Sequence, residues 1–212
     1  MVFLHCNIND VESTLNISKF IQDLGPTIVS ITAVLATLWV TNKTLKSQAS
    51  QNLKTLNAQK DIETRQSIQK KLNEFYGPLI QQRIKSSKLY DKFSAKYRAN
   101  DESFSTLIYL LKNNHFEGND KILLEQIIQL GEDSERLIQD KSGLIDDPQL
   151  RLEILPRATT HFLLIRLAYK GDLKGNSDEF KDLTYPRELV SKLGERKAQL
   201  EKDLENLNKK ES

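Results

Sequence analysis

The pattern of apolar and polar positions is dominated by one stretch, from Leu24 to Asn42, in which no residue is charged. A helix rises about 1.5 Å per residue and bilayer hydrocarbon is about 30 Å thick, so this stretch has the minimum length needed to cross it. Trp39 lies at its end, where an indole ring prefers the headgroup region. The pattern predicts a transmembrane helix over residues 24–42, with a core helix of a globular domain as the alternative.

Basic residues are distributed unequally on the two sides of this stretch. Lys19 is the only lysine or arginine before the stretch. After it, every charged residue from Lys43 to Lys60 is a lysine, and Asp61 is the first acid. Because cytoplasmic flanks of membrane spans are rich in lysine and arginine, residues 1–23 are predicted to lie outside and the rest in the cytoplasm. This predicts a single-pass protein of the inner (plasma) membrane.

Small and hydroxyl-bearing side chains recur every three or four residues along the predicted span. The members of this stripe are Thr27, Ser30, Ala33, Thr37 and Thr41. Small side chains let transmembrane helices approach closely, so the stripe is the predicted association or pore face. The alternative is that each hydroxyl bonds a backbone carbonyl one turn earlier in its own helix.

Beyond residue 42 the apolar spacing is helical. Residues 43–76 lack glycine and proline and have sparse apolar positions, which predicts a stalk helix continuing from the span. Gly77-Pro78 is predicted to interrupt it. Apolar residues at helical spacing then predict a bundle of four or five helices over residues 77–184, in which Pro156 kinks or divides the most apolar helix.

Leucines recur at near-heptad spacing in residues 185–212. This predicts a carboxy-terminal amphipathic, coiled-coil-like helix that contacts either another chain or the stalk of its own chain. No strand-like alternation is present, so the predicted fold class is all-α. The domain order is a short outer segment (1–23), the transmembrane helix (24–42), the stalk (43–76), the bundle (77–184) and the terminal helix (185–212).

Composition adds little chemistry to this picture. The chain has 212 residues and a formal net charge of +2, so its overall charge does not indicate nucleic-acid binding. Its one cysteine, Cys6, excludes an internal disulfide, although it could cross-link two chains. The zinc-ligand, P-loop, dinucleotide-binding and nucleophile-elbow patterns are all absent, so we expect neither a metal nor a cofactor.

One pair of residues could carry chemistry. Arg157 and His161 lie four positions apart, on one face of a helix after Pro156. Arginine can hold a phosphate oxygen while histidine moves a proton, which is the minimum for metal-free RNA cleavage. The alternative is that His161 packs beside Phe162 and that Arg157 pairs with Glu153.

The chain resembles bacterial single-span, membrane-anchored helical proteins of antiviral defence. These include CRISPR-associated accessory proteins with a divergent HEPN-like bundle. The resemblance rests on the overall layout, on Arg157 and His161, and on the segment from Tyr185 to Leu189 (YPREL). The spacing of the pair is shorter than is usual in HEPN ribonucleases. The resemblance implies an oligomer that perturbs the inner membrane when infection is sensed, rather than a working nuclease.

Three functions are therefore expected from the sequence. The first is a non-enzymatic, oligomeric membrane effector whose bundle senses a partner or signal and whose spans form a pore or perturb the membrane. The second is a membrane-tethered, HEPN-like ribonuclease or RNA-binding bundle that uses Arg157 and His161. The third is a passive membrane scaffold for a cytoplasmic enzyme. The expected partners are the membrane, further copies of the chain and a cytoplasmic protein, with nucleic acid in the second case.

Overall fold

The computed structural model describes four ranges of the chain: 9–112, 114–175, 177–180 and 183–209. For residues 9–29, 31, 32, 177 and 178 it describes the backbone alone. Throughout these ranges regular structure is helical, without a strand. The predicted all-α fold class is therefore confirmed.

Six α-helices and four short helical turns follow one another along the described residues. The α-helices are α1 (Asn9–Lys71), α2 (Gly77–Arg98), α3 (Thr106–Leu111), α4 (Gly118–Asp140), α5 (Leu155–Lys170) and α6 (Leu189–Lys209). The π-helical turns are Leu72–Tyr76 and Leu150–Ile154, and the 3-10 turns are Ser142–Leu144 and Ser177–Phe180. The chain divides into two units, residues 1–60 and 61–212, and the second holds the packed core.

The predicted membrane span is not supported by the structure. Across the described residues, no helix combines the length and the apolar character that crossing a bilayer requires. The transmembrane helix over residues 24–42 and the single-pass inner-membrane localisation, with its outward amino terminus, are therefore wrong.

The predicted interruption at Gly77-Pro78 is also wrong. Helical structure passes from the π-helical turn Leu72–Tyr76 directly into α2. The amide of Gly77 donates to the carbonyl of Leu72, and a Cβ added at Gly77 would lie 2.8 Å from that oxygen. Pro78 directly follows the π-helical turn, in the first turn of α2. The π-helical turn thus explains the glycine.

Helical structure also runs through Pro156 without a break, so the division predicted as one of two outcomes there is wrong. The π-helical turn ends at Ile154 and α5 begins directly at Leu155, with Pro156 in its first turn. Ile154, Leu155 and Ala158 are buried around this junction.

The terminal helix packs on its own chain. Leu189, Leu193 and Leu200 of α6 are buried in the same core cluster as Ile68 at the end of α1. The Arg65 guanidinium also donates to the carbonyl of Leu207 at 2.8 Å. The leucine spacing allowed α6 to contact either another chain or the stalk of its own chain. The structure shows the contact with the stalk, at the end of α1.

Candidate functional site

The two predicted catalytic residues bond to different groups. The Arg157 guanidinium donates to Glu188 at 3.1 Å, on the surface rather than to Glu153. His161 Nδ1 lies 3.0 Å from the carbonyl oxygen of Leu183. Because a carbonyl only accepts hydrogen bonds, Nδ1 carries the proton and Nε2 the lone pair. Arg157 and His161 therefore share no hydrogen-bond partner among the described residues.

His161 lies at the wall of a large cavity in the bundle. The cavity has a volume of about 1010 Å³, within the usual size of small-molecule sites. Its walls come from α2, the start of α3, α4, α5 and the segment from Thr184 to Val190. The apolar part of the wall is formed by Ile84, Tyr90, Phe104, Leu107, Leu124, Ile127, Ile128, Phe162, Ile165 and Val190.

Arg83 is the charged residue most deeply placed at this cavity. It is 6% exposed, and its guanidinium carbon lies 4.5 Å from the ring centroid of Phe162 and 5.2 Å from that of Tyr185. Its Nε donates to the Tyr185 hydroxyl at 3.2 Å. Its Nη1 is buried and has no hydrogen-bond partner in the described part of the chain. An unmade bond on a buried cation is costly, so the burial of Arg83 opposes the stability of the bundle.

The environment of His161 keeps its imidazole neutral near pH 7. Burial lowers the pKa of His161 below 6.5, and the nearby charge of Arg83 lowers it further. The hydrogen bond to the Leu183 carbonyl raises the pKa and offsets part of this effect. The ring also contacts Tyr185, with centroids 5.8 Å apart. Because His161 is neutral, Arg83 alone supplies the positive charge where these two residues line the cavity.

The rim of the cavity carries more bases than acids. Lys88, Arg98 and Arg187 are exposed there, against Asp91 and Glu102. Charges of one sign around a low-dielectric cleft raise the local concentration of oppositely charged solutes. With Arg83 inside, the cavity favours anions over cations.

Helices α4 and α5 pack together at the wall of the cavity. A Cβ added at Gly131 of α4 would lie 3.4 Å from Phe162 on α5, which is a close van der Waals contact. Phe162 in turn lies over the Arg83 guanidinium.

The predicted association stripe shows local bonding in its described members. Thr37 donates to the carbonyl of Ala33, and Thr41 donates to the carbonyl of Thr37, both at 2.8 Å. These are the one-turn-back bonds of the alternative interpretation. Ser30 is exposed, and the side chain of Thr27 lies outside the described residues.

Sequence reasoning missed Arg83. Arg83 is buried, whereas Ile84 one position later is 38% exposed, the reverse of what residue type alone suggests. The available signal was spacing: Leu79, Arg83, Ser86 and Tyr90 follow one another at three- and four-residue steps on a single helix face. An arginine in such a series is a candidate for a buried functional cation.

Two further observations delimit the site. In the described ranges, no group of histidine, cysteine, aspartate and glutamate side chains is placed to hold a metal ion. The chain has no match to any protein-family model, to a curated protein or to a solved structure.

Proposed function

We propose that the protein is a non-enzymatic sensor whose helical bundle binds a small molecule in the cavity at Arg83. The observation that carries this proposal is Arg83 itself, a cation that is only 6% exposed and lines a cavity with a largely apolar wall. Of the functions that the sequence suggests, sensing of a signal by the bundle is the one that such a cavity supports. A role in bacterial antiviral defence rests on the resemblance alone.

Binding accounts for the cavity better than ribonuclease chemistry does. Acid–base cleavage needs groups that give and take protons within reach of one substrate. Arg157 is absent from the cavity wall and bonds Glu188, so the described contacts do not bring it to the same substrate position as His161. The buried cation beside His161 suits holding an anion in place.

Capture of a ligand by the purified protein is the direct test. We expect native mass spectrometry to detect a bound small molecule after incubation with a cell extract. Ile128→Trp places a bulky ring at the cavity wall and should abolish the adduct. Ile122→Trp is the matched control, because Ile122 lies on the same helix but is exposed and is not part of the wall.

The proposal requires the captured molecule to depend on the cavity. An adduct retained equally by Ile128→Trp and Ile122→Trp would contradict it, as would the absence of any adduct in the unmodified protein. Circular dichroism of each variant establishes that the helical fold is kept.

A separate observation favours self-association as the second part of the function. On the exposed segment 33–60, seven large apolar side chains are 49% to 61% exposed, among them Val34, Leu38, Leu45, Leu53 and Leu56. At about 100° per residue these five fall within one sector about 100° wide. Lys43 and Lys54 fall on the opposite side, Lys46 falls next to the sector, and Lys60 falls within it at the end of the segment. A second copy could bury the face from Val34 to Leu56 while Lys43 and Lys54 remain in water, so we propose a homo-oligomer formed through it.

Mass measurement in solution tests the oligomer. Leu45→Glu combined with Leu53→Glu places charge on the apolar face, and we expect light scattering to show dissociation to monomers. Lys43→Glu combined with Lys54→Glu is the control on the opposite side and should leave the mass unchanged. A monomeric unmodified chain would rule out self-association without affecting ligand binding.

A further inference from the structure

We infer that the ligand of the cavity is an amphipathic organic anion, with its oxyanion group at Arg83 and its apolar body against α3, α4 and α5. This inference rests on the proposed function and names the chemical class of the molecule that is sensed. It follows from three features: the donors of the buried guanidinium, the single buried charge and the apolar character of the remaining wall.

Two aromatic rings and one hydroxyl group surround the guanidinium of Arg83. The rings of Phe162 and Tyr185 lie 4.5 Å and 5.2 Å from its central carbon. Nε is used by the Tyr185 hydroxyl, and Nη1 has no partner in the described residues. A planar edge of N–H donors matches the two oxygens of a carboxylate or phosphate.

Tyr185 supplies a second donor at the same place. Its hydroxyl oxygen accepts the bond from Arg83 Nε at 3.2 Å, which leaves the hydroxyl proton free to point at a ligand oxygen. His161 adds no charge near pH 7, because its pKa is lowered by burial and by Arg83. The buried cation of Arg83 and the neutral hydroxyl of Tyr185 together match a head group that carries one negative charge.

The rest of the wall selects for an apolar body. Leu107, Leu124, Ile128 and Ile165 line the cavity away from the charged rim, and Phe104 adds an aromatic ring. Burial of apolar surface contributes about 25 cal/mol per Å², whereas a small hydrated anion gains nothing from these residues. A free inorganic anion would use only part of the cavity.

Paired probes with the same alkyl chain test the anion. We expect isothermal titration calorimetry, below the micelle concentration of each probe, to show dodecanoate binding at least tenfold more tightly than dodecanol. Dodecyl phosphate set beside dodecanoate identifies which oxyanion the site prefers. Inorganic phosphate should bind at least tenfold more weakly than dodecyl phosphate because it lacks the apolar body.

Variants test whether Arg83 causes the preference for dodecanoate over dodecanol. Arg83→Met keeps the length of the side chain but removes the charge, and it should reduce the dodecanoate preference over dodecanol to less than threefold. Arg98→Met is the matched control at the exposed rim and should retain most of the preference. Tyr185→Phe gives a second test that keeps the ring over Arg83 and removes only the hydroxyl, with an expected loss of threefold to tenfold for dodecanoate.

The outcomes separate this inference from the proposed function. Equal binding of dodecanol and dodecanoate to the unmodified protein would overturn the anionic head group while leaving a ligand-binding cavity. Equal binding of inorganic phosphate and dodecyl phosphate would overturn the apolar body. If no probe binds but an extract still yields an adduct that Ile128→Trp abolishes, the amphipathic class is wrong and the sensor proposal stands.

Discussion

Asp146 is the residue whose loss should destabilise the bundle most clearly. Its carboxylate accepts hydrogen bonds from Lys71 at 2.7 Å, from the Tyr76 hydroxyl at 2.8 Å and from two nitrogens of Arg196 at 2.8 Å and 3.0 Å. These partners come from the end of α1, the first π-helical turn and α6. One side chain therefore joins three separate helical elements.

The expected cost of Asp146→Ala depends on the bonds that each partner loses. The Tyr76 side chain is fully buried, so its hydroxyl would be left without an acceptor at about 1–3 kcal/mol. Lys71 and Arg196 are 22% and 27% exposed, so water partly replaces their bonds, and the loss stays below that of a fully buried pair. We expect a total of about 3 kcal/mol. Asp146→Asn keeps an acceptor for Tyr76 and should cost about half as much.

Urea denaturation gives the free energy of unfolding for each variant. The matched control is Glu74→Gln, which removes a single ion pair to Lys141 at a distance of 2.8 Å but with side chains about 40% exposed. Exposed pairs of this kind contribute about 0.2–1 kcal/mol. If Asp146→Ala lowered the free energy of unfolding no more than Glu74→Gln, the carboxylate would be acting as an ordinary surface ion pair and the reasoning would fail.

The same cluster should also respond to acid. Burial by itself raises the pKa of Asp146, but the hydrogen bonds from Arg196, Lys71 and Tyr76 outweigh burial and hold the pKa well below 3.8. A carboxylate with a depressed folded-state pKa stabilises the protein above its unfolded pKa, and this contribution is lost as the pH falls below about 3.8. The unmodified protein should therefore lose stability more steeply than Asp146→Asn below about pH 4.

Two further predictions concern a histidine and a glycine. Because the folded-state pKa of His161 is lowered, unfolding takes up a proton below about pH 6.5; stability should fall there by up to about 1.4 kcal/mol per pH unit, and His161→Gln should remove this slope in urea titrations between pH 5 and 7.5. Gly77→Ala should cost about 1–3 kcal/mol in thermal unfolding, because its Cβ would meet the carbonyl of Leu72 at 2.8 Å; Gly143→Ala, where nothing lies within 4 Å, is the control, and equal costs would contradict the explanation.

Helical periodicity predicted the fold class because it depends on local spacing alone. The leucines of α6 illustrate both the strength and the limit of this reasoning. Their spacing correctly predicted a helix with one apolar face, and Leu189, Leu193 and Leu200 are buried. Spacing carries no information about which surface covers that face, and Ile68 of the same chain was identified only by the structure.

Two errors have a common physical origin in judging residues by type. The uncharged run at residues 24–42 was interpreted by its lack of charge, and Gly77-Pro78 by the usual effect of these residues on helices. In α2 the glycine is required by a π-helical turn and the proline occupies a first turn, so both belong inside the helical segment. The π-helical turn, which makes glycine and proline compatible with a continuous helical segment, cannot be identified from the local sequence.

The candidate site was beyond local reasoning for a different reason. Arg83 is buried because Phe162 and Tyr185, from distant parts of the chain, cover its guanidinium. A charged residue inside a polar stretch is ordinarily assigned to solvent. His161 lies at the wall of the cavity, but the cation beside it is Arg83 of another helix rather than Arg157 of its own.

The number of residues in the π-helical turn Leu72–Tyr76 determines how the helix before it is rotated relative to the helix after it. Such a turn holds one more residue than the α-helical turn it replaces, and each added residue rotates the helix before the turn by about 100° relative to the helix after it. Ile68 and Lys71 precede the turn, and Tyr76 is its last residue. Deleting the exposed Asn73 would turn Ile68 away from the leucines of α6 and Lys71 away from Asp146. A single-residue insertion or deletion in this turn should therefore disturb the core more than a point substitution at an exposed position such as Asn73.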